Sequence, residues 1–235
     1  MNIGDHRYWC WHIAAPFYER CYNDIAHRLD EDLFTYLGDR TQGAQVADCG
    51  CGPGVVTEKF LQRGAARVFA IDVNVAMLRQ VRRRLADAVT TRRVILVQGA
   101  AEAQLFSSLR DRFPDGRGLD VVLFKRSLYV KRRKAVSILR SAVASLNPGG
   151  ILTVIHGERS LRRYAFGPGL RPRPYTIYHL FNRAVSKLGE KLGIGNYTLY
   201  TQDELLDLLR TSSPGRRVES IPSQQQAFNL AAVVK

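Results

Sequence analysis

Between positions 46 and 54 the chain reads Val-Ala-Asp-Cys-Gly-Cys-Gly-Pro-Gly, three glycines at alternate positions directly after a β-type run. Glycine reaches dihedrals that a side chain forbids, and it lets the main chain approach a ligand closely. A strand that runs into such a turn and then into a helix opens a doubly wound sheet, whose ligands sit at the carboxyl ends of the strands. The residues that follow agree. Short β-type runs at Gln45–Asp48, Arg67–Asp72, Arg93–Gln98, Asp120–Phe124 and Ile151–His156 alternate with helical stretches near Val55–Arg63, Val75–Ala88 and Arg133–Leu146. This alternation predicts a mostly parallel sheet with helices on both faces.

The flanking segments complete the expected architecture. Residues 5–38 read as helical, with Ile25, Leu29, Leu33 and Leu37 recurring at i+4, and the polar run Gly38–Gly43 breaks the pattern. Residues 159–200 are rich in Arg, Tyr, Gly and Pro. They hold a helix near Tyr178–Leu192 whose Ile177, Phe181, Val185, Leu188 and Leu192 share one face, with Arg183, Lys187 and Lys191 as a basic row. A helix at Asp203–Arg210 and closely spaced strands near Arg217–Ile221 and Ala227–Val234 then suggest a closing antiparallel hairpin. The expectation is one α/β domain over residues 1–235, a doubly wound, mostly parallel seven-stranded sheet. It divides into an N-terminal helical cap (1–40), a ligand-binding core (41–158), a lid insertion after the fifth strand (159–200) and a C-terminal helix and hairpin (201–235). No internal repeat is present.

At 235 residues and 46% hydrophobic content, the chain can bury one core. Its 35 Lys and Arg against 21 Asp and Glu give a net charge of +14, a field that favours anionic partners without choosing among nucleic acid, membrane surface and small acids. No apolar run approaches the roughly 18–20 residues that span a bilayer. The opening stretch has no basic n-region of the signal-peptide kind, so a cytoplasmic location is expected. Cys10, Cys21, Cys49 and Cys51 form neither a CxxC pair nor a disulfide framework, and no metal site is expected.

An acid ends the second β-type run: Val68-Phe-Ala-Ile-Asp72. A carboxylate there can accept both hydroxyls of a ribose. The dinucleotide fingerprint spaces its glycines GxGxxG, whereas this turn is Asp48-x-Gly50-x-Gly52-x-Gly54, with an acid that would repel a diphosphate. These residues resemble the class I S-adenosylmethionine-dependent methyltransferases, over most of 12–158 and more loosely beyond. The resemblance implies the Rossmann-like methyltransferase fold and S-adenosylmethionine as cofactor. It implies that Asp48, Gly50, Gly52 and Gly54 cradle the methionine part, that Asp72 holds the ribose, and that Asn74 and Met77 pack beside the adenosine. Gly99-Ala-Ala-Glu102 resembles the family's adenine segment, commonly Gly-Asp-Ala-Glu, which implicates Ala101 and Glu102. Here Ala100 replaces the usual aspartate. Phe124 ends the fourth strand at the same site, and Ala14-Ala-Pro-Phe-Tyr18 resembles the helix whose tyrosine closes over the cofactor.

The fourth strand runs into Phe124-Lys-Arg-Ser, where base N-methyltransferases carry (Asn/Asp/Ser)-Pro-Pro-Tyr, and no cysteine follows a proline as in cytosine C5 enzymes. Lys125, Arg126, Lys131, Arg132, Arg133 and Lys134 follow that strand, and Arg159, Arg162, Arg163, Arg171 and Arg173 follow the fifth. Two basic clusters would converge on one mouth, as an acceptor-binding rim or as a solvated surface. His156, at the end of the fifth strand, is the candidate general base. His12 is a weaker one, and Tyr175, Tyr178 and Phe181 are candidates to line an acceptor pocket. The expected activity is methyl transfer to a small organic acceptor, anionic or lipophilic, in specialised or lipid-like metabolism. RNA methylation, peripheral membrane contact and a non-catalytic cofactor-binding module stay open as alternatives.

Overall fold

The computed structural model describes residues 29–110, 118–157, 198–223 and 228–235. Helix α1, over 29–37, presents Leu29, Leu33 and Leu37 to the interior, all fully buried. Full burial of each such side chain contributes roughly 1.5–3 kcal/mol. A 3₁₀ turn, Gly38–Thr41, leads into β1 (Gln45–Cys49). Then follow α2 (Val55–Gln62), β2 (Arg67–Asp72), α3 (Val75–Arg84), α4 (Ala86–Thr90), β3 (Val94–Gln98) and α5 (Ala103–Arg110). After these come β4 (Leu119–Lys125), α6 (Arg132–Ala144), β5 (Leu146–Gly157), α7 (Gln202–Ser212), β6 (Arg217–Ser220) and β7 (Phe228–Val234).

The seven strands lie in the order β3-β2-β1-β4-β5-β7-β6. β1 to β5 pair in parallel, and β7 runs antiparallel between β5 and β6. The chain works outward from β1 to β3, then returns to lay β4 on the other side of β1. That reversal opens a crevice at the carboxyl ends of β1 and β4. Alternation along the strands feeds two cores. Ala47, Phe69, Val122, Phe124, Leu152 and Val154 pack on the face covered by α5, α6 and α7. Val46, Val68, Val121, Leu123, Ile151 and Ile155 pack on the face covered by α1 and α2, with Leu33 and Phe60 among the residues above them.

Three boundaries differ from the expectation. The helix expected over 75–88 breaks at Leu85, whose φ of −123° and ψ of 40° separate α3 from α4. β5 starts at Leu146, five residues early, because Leu146 already pairs with Leu119. The amide of Asn147 clamps the start of β4, accepting from Gly118 N–H at 2.6 Å and donating to the Asp120 carboxylate at 2.7 Å. Helix α5 was not anticipated: two serines interrupt its apolar spacing of Leu105, Phe106 and Leu109. The remainder of the helical cap, Tyr18 included, and the lid insertion up to residue 197, with its helix near 178–192, lie outside the described residues.

Candidate functional site

The glycine turn is held from below and from one side. Gly50 and Cys51 N–H both donate to the Ile71 carbonyl, at 2.8 and 3.0 Å, so the turn curls over the end of β2. Gly50, Gly52 and Gly54 all have positive φ, at 77°, 55° and 85°. For Gly50 the need is also steric, since a Cβ there would stand 2.3 Å from the Ser127 Cβ. Ser127 sits in the segment after β4, and its hydroxyl donates to the Cys49 carbonyl. The room made by the missing side chain is thus filled by the neighbouring segment of this chain.

Asp72 joins the turn to the next helix. Its Oδ2 accepts from Gly52 N–H at 2.9 Å and its Oδ1 from Asn74 N–H at 2.8 Å. Asn74 caps α3, its Oδ1 accepting from Ala76 N–H at 2.9 Å. Around these residues lies a cleft of about 950 Å³, counting its open mouth. It runs across the carboxyl ends of β3, β2, β1 and β4.

Of the residues singled out in the sequence, Gly50, Gly52, Asp72 and Asn74 stand on its wall. So do Met77, Ala101, Glu102 and Phe124. These eight come from four separate strand ends. The donor chemistry fits an adenosyl ligand: a diol acceptor at Asp72, apolar surface from Met77 and Phe124, and bare glycine backbone between. At the β3 end Ala100 offers no carboxylate, and Glu102 is engaged by Lys134 at 2.6 Å.

Three assignments need correction or stand elsewhere. Asp48 lies one layer behind the wall, 1% exposed, accepting from the Thr57 hydroxyl at 2.7 Å. Burial pushes its carboxyl up to about 6, against the pull of Thr57 and Lys125. Gly54 likewise sits off the wall; its carbonyl starts α2 by accepting from Glu58 N–H, and a Cβ there would press on Val81.

His156 is not at the mouth. It is fully buried, on the same face of β5 as Leu152 and Val154, so strand alternation turns it into the core under α6 and α7. Its Nδ1 lies 3.1 Å from the Gly157 carbonyl and its Nε2 3.1 Å from the Leu128 carbonyl. A neutral imidazole carries one N–H and donates to only one of these carbonyls, and both nitrogens face main chain. Its ring stands between those of Tyr129 and Tyr200, with centroids 5.1 Å away on each side. Burial pushes the Tyr200 hydroxyl up to about 12, and it donates to the Val130 carbonyl at 2.6 Å. His156 and Tyr200 therefore tether the 128–130 backbone that forms the β4 side of the cleft. His156 thus lies behind the cleft wall and is not among the residues that line it.

The basic rim is less uniform than its sequence suggests. Lys125 is partly buried and pairs with Asp30 on α1, which also takes Lys59 at 2.6 Å. Arg132 meets Asp207 at 2.7 Å on the surface, and Lys134 holds Glu102. The second cluster, beginning at Arg159, lies outside the described residues, as do His12, Tyr175, Tyr178 and Phe181. Sequence reasoning missed Asp30 and Ser127, which carry no motif; their partners arrive from positions 29 to 95 residues away. Among the described residues no helix is long and apolar enough to cross a membrane.

Comparison with known proteins agrees with this geometry. Residues 46–150 match a family model described as a methyltransferase domain. Trans-aconitate 2-methyltransferase of Afipia carboxidovorans is 41% identical over 68 residues, 28% of this chain and 26% of that protein. A ubiquinone/menaquinone biosynthesis C-methyltransferase of Wigglesworthia glossinidia brevipalpis is 21% identical over 218 residues, 88% of this chain and 77% of that one. Magnesium protoporphyrin IX methyltransferase of Synechocystis PCC 6803, solved with S-adenosylhomocysteine bound, superposes with a TM-score of 0.60. It is 14% identical, over 93% of this chain and 92% of its own. The chain thus spans about a quarter of the first curated relative and about three quarters of the second.

Proposed function

We propose that the chain is a class I S-adenosylmethionine-dependent methyltransferase, with S-adenosylmethionine as cofactor, and that its cleft methylates a small organic acceptor that is anionic or lipophilic. The observation that carries this reading is the Asp72 carboxylate. It is pinned by Gly52 and Asn74 amides at one end of a cleft whose other end is the segment after β4. In this reading Asp72 accepts the ribose hydroxyls, Met77 and Ala101 flank the adenine, and Gly50 and Gly52 line the methionine part. The bound cofactor supplies an electrophilic methyl group on a sulfonium that carries its own leaving group.

The protein's share is then positioning and exclusion of water. Phe124, Leu128 and Ile138 give the cleft apolar surface. His156 and Tyr200 fix the backbone against which an acceptor would lie. One relative is named for an organic acid and another for quinones, which supports an anionic or lipophilic acceptor. RNA is the second reading, favoured by the charge of +14. It is weakened by the commitment of Lys125, Arg132 and Lys134 to carboxylates.

Calorimetric titration with S-adenosylhomocysteine, with NAD as control, tests the cofactor site. One-site binding of the first alone is expected. Replacing Asp72 with Ala should weaken it by about 1–3 kcal/mol through lost charged hydrogen bonds, while Asp72→Asn loses less. Preference for NAD, or unchanged affinity in folded Asp72→Ala, would sink the reading. A steep fall of acceptor binding with salt would favour RNA.

A further inference from the structure

A carboxylate and an ammonium stand side by side on the cleft wall. Glu102 closes the run Gly99–Glu102 at the β3 end, and Lys134 reaches it from the first turn of α6, Nζ to Oε1 at 2.6 Å. The pair stays accessible, with 39% of the Glu102 side chain and 36% of the Lys134 side chain exposed. No other hydrogen bond engages either side chain among the described residues, which leaves Oε2 and two of the ammonium N–H bonds to a ligand. Helix stability does not account for Lys134, because a cation in the first turn opposes the helix dipole. An exposed ion pair also contributes little to folding.

Asp72 sets where this pair stands. It pairs with Gln98 across the β2–β3 ladder, and its carbonyl accepts from Gly99 N–H at 3.0 Å. The run that ends at Glu102 therefore starts beside the carboxylate assigned to the ribose. A base carried on that ribose would meet this run, where Ala100 offers no carboxylate of its own. Adenine presents an amino donor beside a ring-nitrogen acceptor, whereas a 6-oxopurine presents two acceptors there. A carboxylate only accepts and an ammonium only donates. Side by side they match the first pattern, and the carboxylate repels the second. A single Asn or Gln amide can make the same paired contact to adenine. Here two side chains from different elements supply its two halves.

We propose that Glu102 and Lys134 together read the edge of the cofactor's base, Glu102 accepting from the amino group and Lys134 donating to the adjoining ring nitrogen. The inference rests on the cleft being the S-adenosylmethionine site, and it makes this pair the selector of adenine over 6-oxopurines. Its test is calorimetric titration of the full chain with S-adenosylhomocysteine and with S-inosylhomocysteine, the deaminated analogue. The parent should bind the adenine form about 10–100-fold more tightly. Glu102→Gln, whose amide can turn to accept or to donate, should narrow that ratio to under about three-fold. Lys134→Met should weaken binding of the adenine form about three- to ten-fold. Asp72→Ala should weaken both ligands alike and leave the ratio in place.

Equal binding of the two forms by the parent, a parental ratio in folded Glu102→Gln, or parental affinity in folded Lys134→Met would overturn the proposal and leave the pair a surface ion bridge. Failure of the parent to bind either ligand would sink the reading beneath it, and the proposal with it. The two variants lie on different elements, so each tests the pair if the other fails to fold.

Discussion

Asp48 keeps a carboxylate almost out of water with a hydroxyl as its one hydrogen-bond donor named above. Such a group is costly to ionise. Its folded-state value of about 6 exceeds the ordinary 3.8, so between these values the folded protein holds more protons than the unfolded chain. The stability this supplies is fully present below about pH 4 and is lost as pH rises through about 6, a loss on the order of 3 kcal/mol. Asp48→Asn keeps an acceptor for Thr57 and removes the titration. Its urea midpoint should exceed that of the parent at pH 7 and converge with it below pH 4. A parent whose midpoint is flat over that range would refute the account. The same residue shows what a motif hides. Asp48 is conspicuous in the sequence as the acid of the glycine turn, yet its side chain points under the turn, because β1 alternation and Thr57 on α2 decide where it goes.

At the level of elements, the described part of the cap is fastened by charge as well as by its leucine stripe. Asp30 on α1 binds Lys59 on α2 and Lys125 at the end of β4, three elements meeting at one buried carboxylate. Burial lowers the Lys125 ammonium, and Asp30 opposes that shift. Asp30→Ala strands a buried ammonium, and breaking such a pair on one side typically costs about 3–5 kcal/mol. Chemical denaturation should show that loss; a change under 1 kcal/mol would mean that Lys125 finds water. The leucine spacing of α1 was legible because burial repeats at i+4, and so were the five parallel strands, because each carries an apolar run between turn residues. The ion cluster was not, since pairing across 29 and 95 residues leaves no local mark. The burial of His156 was hidden for a related reason. A strand end is read as a mouth from sequence, but whether its last side chain faces ligand or core depends on parity.

For the whole molecule, the sheet has a seam. β5 and β6 never touch; β7 lies between them, with Leu230, Ala231, Ala232 and Val233 buried. The backbone of Lys235 continues this stitching by bonding with Gly149 and Gly150 at 2.9 Å. Removing residues 228–235 takes away no wall residue of the cleft, yet it exposes the edge of β5 and leaves β6 without its partner among the described residues. That truncation should lose the cooperative unfolding transition and S-adenosylhomocysteine binding together; a truncated chain that binds at parental affinity would show the cleft to be an independent unit. The seam also bears on how the protein is born. A chain emerging from the ribosome offers β6 before β7, so a strand must wait, unpaired, for the one that will divide it from the rest. The sheet cannot be closed in the order in which it is made. During that interval β5 presents an open apolar edge to every other nascent chain nearby, the kind of surface on which chaperones act.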